Sequence, residues 1–250
     1  MRRKNRGKRY GKHSGIRRLA AAAAALLCMG AGMLWMDMEE AWRPSAVEIP
    51  AYSGEAVIEL EENRPDFTRE DLTTEAFEYY SPLDRLGRCG TAYANVCTEL
   101  MPTQERESIG MIRPSGWQVA RYDDLIPSKY LYNRCHLIAY SLTGENANEN
   151  NLITGTRYMN ENMIPYEMEA AAYVRQTGGH VLYRVTPIFE GKNLLADGVE
   201  MEAMSVEDAG ASVSFHVFVY NVQPGVELDY ATGDNRRADA DSGRRTQAAA

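Results

Sequence analysis

Basic side chains are scarce along most of this chain. Lys and Arg total 27 against 35 Asp and Glu, a formal net charge of −8. Nine of the 27 lie within residues 1–18, which hold no acid, so the remainder carries 18 basic groups against 35 acidic ones. Such a body repels phosphate backbones in general, which excludes a polyanion grip spread over the whole surface. Cysteine is also sparse. Of four, Cys28 falls in an apolar run, and Cys89, Cys97 and Cys135 make an odd number with no C-x2-C pair. The usual zinc-site signature is therefore missing. One disulfide with a free thiol, or three reduced and buried thiols, both remain open. Internal repeats are absent, and only one apolar run is long enough to concern a membrane.

That run is residues 19–36, 18 residues without a charge, at the lower limit for a bilayer-spanning helix. It follows the basic cluster, so it reads as a secretory signal or a retained anchor that associates with the membrane. Residues 1–18 are then cytoplasmic and everything after Asp37 extracytoplasmic. No Ala-x-Ala cleavage site follows the run. Residues 37–50 read as a linker, 51–234 as one globular domain, and 235–250, polar and Ala-ended, as a disordered tail. The domain has ordinary composition, 44% hydrophobic and 25% charged.

Within the domain, alternation and β-branched content predict strands over 56–60, 90–96, 116–122, 129–136, 181–189 and 212–222. Helices are predicted over 74–80, 152–163 and 166–176, the last opened by Pro165 and closed by Gly178-Gly179. The expected fold is α+β, a mainly antiparallel sheet with helices on one face. His180 and His216 fall in apolar runs and read as core or sheet-face residues.

The informative stretch is 130–167. A strand delivers His136 at its end, a turn-rich loop follows over 143–151, and a helical segment then carries Asn160. The residues Asn133-Arg134-Cys135-His136, then Asn151 and Asn160 with eight residues between them, then Glu167, resemble the ββα-metal (His-Me finger) DNA/RNA non-specific endonucleases, most of all the DNA-entry nuclease branch. That family carries Asp-Arg-Gly-His, Asn-x8-Asn and a glutamate a few residues on. The resemblance continues to about Asp234. Two positions depart from it: Asn133 stands where the family has Asp, and Cys135 where it has Gly.

The resemblance implies a metal-dependent, sequence-non-specific endonuclease acting on DNA, and on RNA, with Mg²⁺ or Mn²⁺. His136 would be the general base, because a neutral imidazole can take a proton from water. Asn160 would hold the metal through its amide oxygen, which suits a hard cation that keeps several waters. Glu167 would accept from metal-bound water, Arg134 would pair with phosphate, and Asn133 and Asn151 would brace the motif. Taken singly, each has a plainer reading: a buried histidine, a helix-end asparagine, an exposed helical glutamate, a surface ion pair. A zinc cluster of Cys89, Cys97, Cys135 and His136 would consume the base. The segment from 101 to 160 has six basic and six acidic residues, so the acid excess lies outside it. From a different class, the acidic body and the two departures suggest a catalytically weakened nucleic-acid-binding subunit of a surface uptake system.

Overall fold

The computed structural model describes residues 48–239. The expected basic cluster, apolar run and nearly all of the linker lie outside them, as does the tail beyond 239. Among the described residues no helix is long and apolar enough to cross a membrane.

Among the described residues, ten strands and two α-helices follow in chain order. The strands are β1 Val57–Glu59, β2 Phe77–Tyr80, β3 Ala92–Val96, β4 Tyr132–His136, β5 Leu152–Thr156, β6 Val181–Ile188, β7 Gly198–Ser205, β8 Ser214–Tyr220, β9 Val226–Leu228 and β10 Asn235–Arg237. The helices are α1 Tyr140–Thr143 and α2 Arg157–Thr177. Six strands make one sheet in the order β1-β8-β7-β6-β3-β2, with every pairing antiparallel. β4 pairs with β5 as a separate ribbon, and β9 with β10 as another.

Alternation gives the large sheet two different faces. One presents Ala92, Ala94, Val96, Val181, Tyr183, Val185, Val199, Met201, Ala203, Phe215, Val217 and Val219 to a single core. α2 lies on this face through Met159, Met163, Ala170, Ala171 and Val174, and the ribbon contributes Cys135 and Ile153. Small Ala170 and Ala171 let the helix approach closely, while Tyr166 meets Phe215 edge-on at 4.9 Å.

The other face is partly charged. Glu202 accepts from Arg184 Nε and from the Asp66 backbone N–H, both at 2.7 Å. His216 donates from Nδ1 to the Arg64 carbonyl and meets Glu200 through Nε2 at 2.6 Å. These groups pin residues 63–67 across the sheet. Ligand atoms of Glu200, Glu202 and His216 lie within 4.8 Å of one another. Protein donors, balanced by Arg184 and His216, already engage both carboxylates there.

Several local expectations are corrected. Residues 77–80 are strand rather than helix, because Asn95 Nδ2 bonds the Thr73 and Glu75 carbonyls and holds that segment extended against β3. Residues 116–122 are irregular, touching Tyr130 through one bridge at Arg121. Residues 152–156 are β5 rather than helix: the β-branched Ile153, Thr154 and Thr156 pair with β4. The helix then starts at Arg157, capped by Thr156 Oγ1 accepting from the Met159 N–H at 3.0 Å. Pro165 opens no second helix. It sits inside α2 on an exposed face, where water can serve the carbonyl that its missing N–H leaves unpaired. β7 was not anticipated, and β10 occupies the start of the expected tail. The three described cysteines are free and buried, so neither a disulfide nor the cysteine–histidine zinc cluster forms among them.

Candidate active site

The site is built on the β4–β5 ribbon and the first turns of α2. His136 pairs with Leu152 and Asn133 with Gly155. The ribbon is anchored to the large sheet by Asn221, just after β8. Its Oδ1 accepts from the Thr156 N–H at 2.9 Å, and its Nδ2 donates to the carbonyls of Thr154 and Ala196. The strand-to-helix corner that aims Asn160 is thereby fixed from below.

Asn151 holds the connection between the two strands. Fully buried, it accepts from the Ile138 N–H and donates to the Ile138 carbonyl, each at 2.9 Å. The chain leaving His136 is thus tied to the chain entering β5. α1 ends at Gly144, whose φ of +70° makes the left-handed turn that begins the loop.

His136 is 7% exposed. Its Nε2 lies 2.8 Å from the Asn146 carbonyl, and its Nδ1 lies 3.2 Å from Arg106 Nη2. A carbonyl only accepts and a guanidinium only donates, so the proton sits on Nε2 and the lone pair on Nδ1. Burial, reinforced by the Arg106 charge and opposed by the Asn146 bond, lowers the imidazole pKa to about 4. The ring is therefore neutral at ordinary pH and able to accept a proton at Nδ1.

Arg106, which meets His136 Nδ1, also lines a cleft of about 580 Å³, together with Trp117, Asn133, Arg134, Arg157 and Asn160 among others. No acidic side chain lines it. The Asn160 carboxamide is half-buried and has no hydrogen-bond partner among the described residues. Glu167, two turns further along the same helix face, is half-buried, and burial raises its carboxyl to about 7 against the opposing pull of Arg106. Arg134 is not free. Its Nε and Nη2 donate to the carbonyls of Ile112 and Gly110, and its guanidinium lies 4.0 Å from the Trp117 ring centroid. It braces the segment that forms the outer wall of the cleft. Asn133 reaches the cleft, but its Nδ2 is buried without a partner, so the amide bonds expected of it as a brace are not made.

Cys135 fits because Gly155, on the neighbouring strand, carries no side chain. A side chain at Gly155 would come within 2.5 Å of Cys135 Sγ and 2.4 Å of Met159 Cε. Sequence reasoning missed Arg106 and Arg157 as site residues. Arg106 lies in an irregular polar stretch with no periodicity to mark it, and only the tertiary fold brings it to His136.

Solved structures share this architecture. NucA from Streptococcus agalactiae with magnesium bound is 26% identical, aligned over 73% of this chain and 87% of that one, with a TM-score of 0.64. The same nuclease without metal gives 27% identity and 0.62 over the same shares. Sda1 nuclease with a bound zinc ion shares the fold at 23% identity and a TM-score of 0.59, over 73% of this chain and 97% of that one. A family model described as DNA/RNA non-specific endonuclease matches residues 68–207. That span, more than half of the chain, holds β4, β5, α2 and every residue of the cleft, and the chain belongs to this ββα-metal endonuclease family, in its DNA-entry nuclease branch.

Proposed function

We propose that the chain is an extracytoplasmic, metal-dependent endonuclease that hydrolyses phosphodiester bonds of DNA, and of RNA, without sequence preference. The reading is carried by one observation: the Nδ1 lone pair of a buried, neutral His136 is reached by Arg106, which lines a cleft that also contains an Asn160 amide with no hydrogen-bond partner among the described residues.

The residues fit a hard divalent cation. Among the described residues, Asn160 offers an amide oxygen without a hydrogen-bond partner, and Glu167 a carboxyl without one that could accept from a cation's water. NucA with magnesium supports Mg²⁺ for this site. Bound there, the cation would supply Lewis-acid stabilisation of the phosphate and of the leaving oxygen.

The remaining steps belong to the chain. Arg106, exposed and held by its single bond to His136, turns to a phosphate oxygen entering the cleft and leaves Nδ1 to a water. His136 takes the proton of that water as it attacks phosphorus, while its Nε2–H keeps the ring aligned on Asn146. Arg106 and Arg157 offset the charge that develops on the phosphate. Arg134 positions the wall and contributes its charge. Contacts to phosphate carry no base information, hence the absence of sequence preference. The extracytoplasmic assignment rests on the basic cluster and apolar run of residues 1–36.

The test is nicking of supercoiled plasmid by wild type with Mg²⁺, by wild type with EDTA, and by His136→Ala. Cleavage is expected in the first lane only. A folded wild type that shifts DNA yet never cuts it overturns the enzyme in favour of a binding subunit.

A further inference from the structure

The cleft is lined by more than its arginines. Gln118, Val119, Ala120 and Tyr130 also line it, and the hydrolytic chemistry uses none of them. The two strips run side by side: Leu131 N–H bonds the Ala120 carbonyl, Tyr122 N–H bonds the Lys129 carbonyl, and Arg121 bridges to Tyr130. Despite that pairing, Val119 is 73% exposed and Tyr130 48% exposed. Arg121 lies 5.3 Å from the Tyr130 ring centroid and is itself held by Asp123 through two bonds of 3.1 Å. The ring is therefore steadied by a cation and still open to the cleft.

An aromatic face beside an apolar side chain, next to a row of guanidinium groups, is the chemistry that receives a nucleobase while its phosphate is held. The guanidiniums belong to Arg106, Arg134 and Arg157, and no acid lines the cleft to repel the backbone. A base can lie on Tyr130 only if it has left its own stack. In a duplex both faces are covered by neighbouring pairs, so unstacking must be supplied first. In a single strand that cost is small.

We propose that Tyr130, with Val119 and the Arg121–Asp123 pair behind it, forms a stacking platform for one unpaired base flanking the scissile phosphate, and that the enzyme consequently prefers single-stranded DNA to duplex. The proposal rests on the endonuclease reading for its phosphate site and adds the substrate form. Aromatic stacking is sequence-tolerant because every base has a π-face, so the platform adds strand discrimination without base readout.

The experiment uses the full chain in two arms. In the first, kcat/KM is measured on a labelled single strand and on the same sequence as duplex. Wild type is expected to favour the single strand, and Tyr130→Ala to lower the single-strand-to-duplex ratio about tenfold, while Tyr130→Phe keeps it. In the second, wild type in EDTA is titrated into a single strand containing 2-aminopurine, whose fluorescence is quenched on stacking. Quenching is expected with wild type and Tyr130→Phe and is lost in Tyr130→Ala. An unchanged ratio, or quenching that survives Tyr130→Ala, overturns the platform. The binding arm reads stacking without cleavage, so an inactive protein would refute the endonuclease while the platform is still judged.

Discussion

Asn151 and Asn160 are nine residues apart and belong to the same motif, yet the structure gives them opposite consequences when truncated. The Asn151 side chain answers both backbone groups of Ile138, which is itself fully buried. Asn151→Ala leaves an N–H and a carbonyl without partners in a region closed to water. Each orphaned group costs about 1–3 kcal/mol, so the pair costs roughly 2–6 kcal/mol. For a domain of this size each kcal/mol lowers Tm by about 2–4 °C, which predicts a fall of roughly 5–20 °C. Asn151→Asp should fare no better, because it keeps an acceptor for the N–H but sets a buried carboxylate against the Ile138 carbonyl. The Asn160 amide has no hydrogen-bond partner among the described residues to abandon. Asn160→Ala should melt within about 2 °C of wild type, while the Mg²⁺ concentration needed for half-maximal cleavage rises and the rate falls. Melting by circular dichroism and a metal titration of plasmid nicking measure both. Asn151→Ala that melts like wild type, or Asn160→Ala that melts like Asn151→Ala, would refute the division between brace and ligand.

Two buried histidines should give stability opposite dependence on pH. His136 has its pKa lowered to about 4, so the unfolded chain binds its proton more tightly than the native one. Its contribution is complete above about 6.5 and is lost as pH falls towards 4, by about 3 kcal/mol at most. Urea unfolding at pH 7 and pH 5 should show about 2 kcal/mol of it, and His136→Ala should flatten the difference. His216 is raised. Burial alone would lower it, but the hydrogen bond to Glu200, the Glu202 charge and the Arg64 carbonyl prevail. Its stabilisation is full below the ordinary imidazole range and fades as pH rises through the raised value; His216→Gln should remove that alkaline loss from the same urea curves. At the ribbon, Gly155→Ala drives a methyl into Cys135 and Met159, both fully buried, at a cost of about 1–3 kcal/mol. Adding Cys135→Gly should recover part of it, and strictly additive losses would show that the two positions do not share the space.

The parts of this molecule legible in the sequence are those where local pattern and tertiary role agree. β6 and β8 alternate or run apolar because one face meets the core, and His136 stands at the end of a recognisable strand. β7 is interrupted by Glu200 and Glu202, which break the apolar pattern although both are buried against His216 and Arg184. No local signal distinguishes a buried, paired acid from an exposed one. The helix over 152–163 failed for a related reason. Leu152–Thr156 is apolar and short, and only its pairing with β4 makes it strand. Pro165 reads as a helix start because interior prolines are costly, whereas in the structure it sits inside α2 among exposed residues, where water can reach the carbonyl it leaves unpaired. Arg134 was assigned to phosphate from its motif position, while its geometry spends two donor groups on the backbone of the cleft wall.

The acidic body is the observation that most opposes a nuclease, and the distribution of charge answers it. Acids are consumed away from the cleft, by Arg184 and His216 behind the sheet, by His180 at Glu207, and by Arg236 and Arg237 near the C-terminal ribbon. The cleft keeps three arginines and no acid. Asn133, standing where the family carries Asp, withholds one more negative charge there. Attraction is thereby confined to the few phosphates that reach the cleft, because a backbone passing over the rest of the surface meets a net negative field. Binding should then release few counterions. For metal-free His136→Ala, log K for a single strand against log salt should have a slope no steeper than about −2 to −3, near 0.7 per neutralised phosphate. A slope of about −6, measured by anisotropy between 50 and 200 mM salt, would mean that phosphates are gripped well outside the cleft, and the confinement argued here would fail.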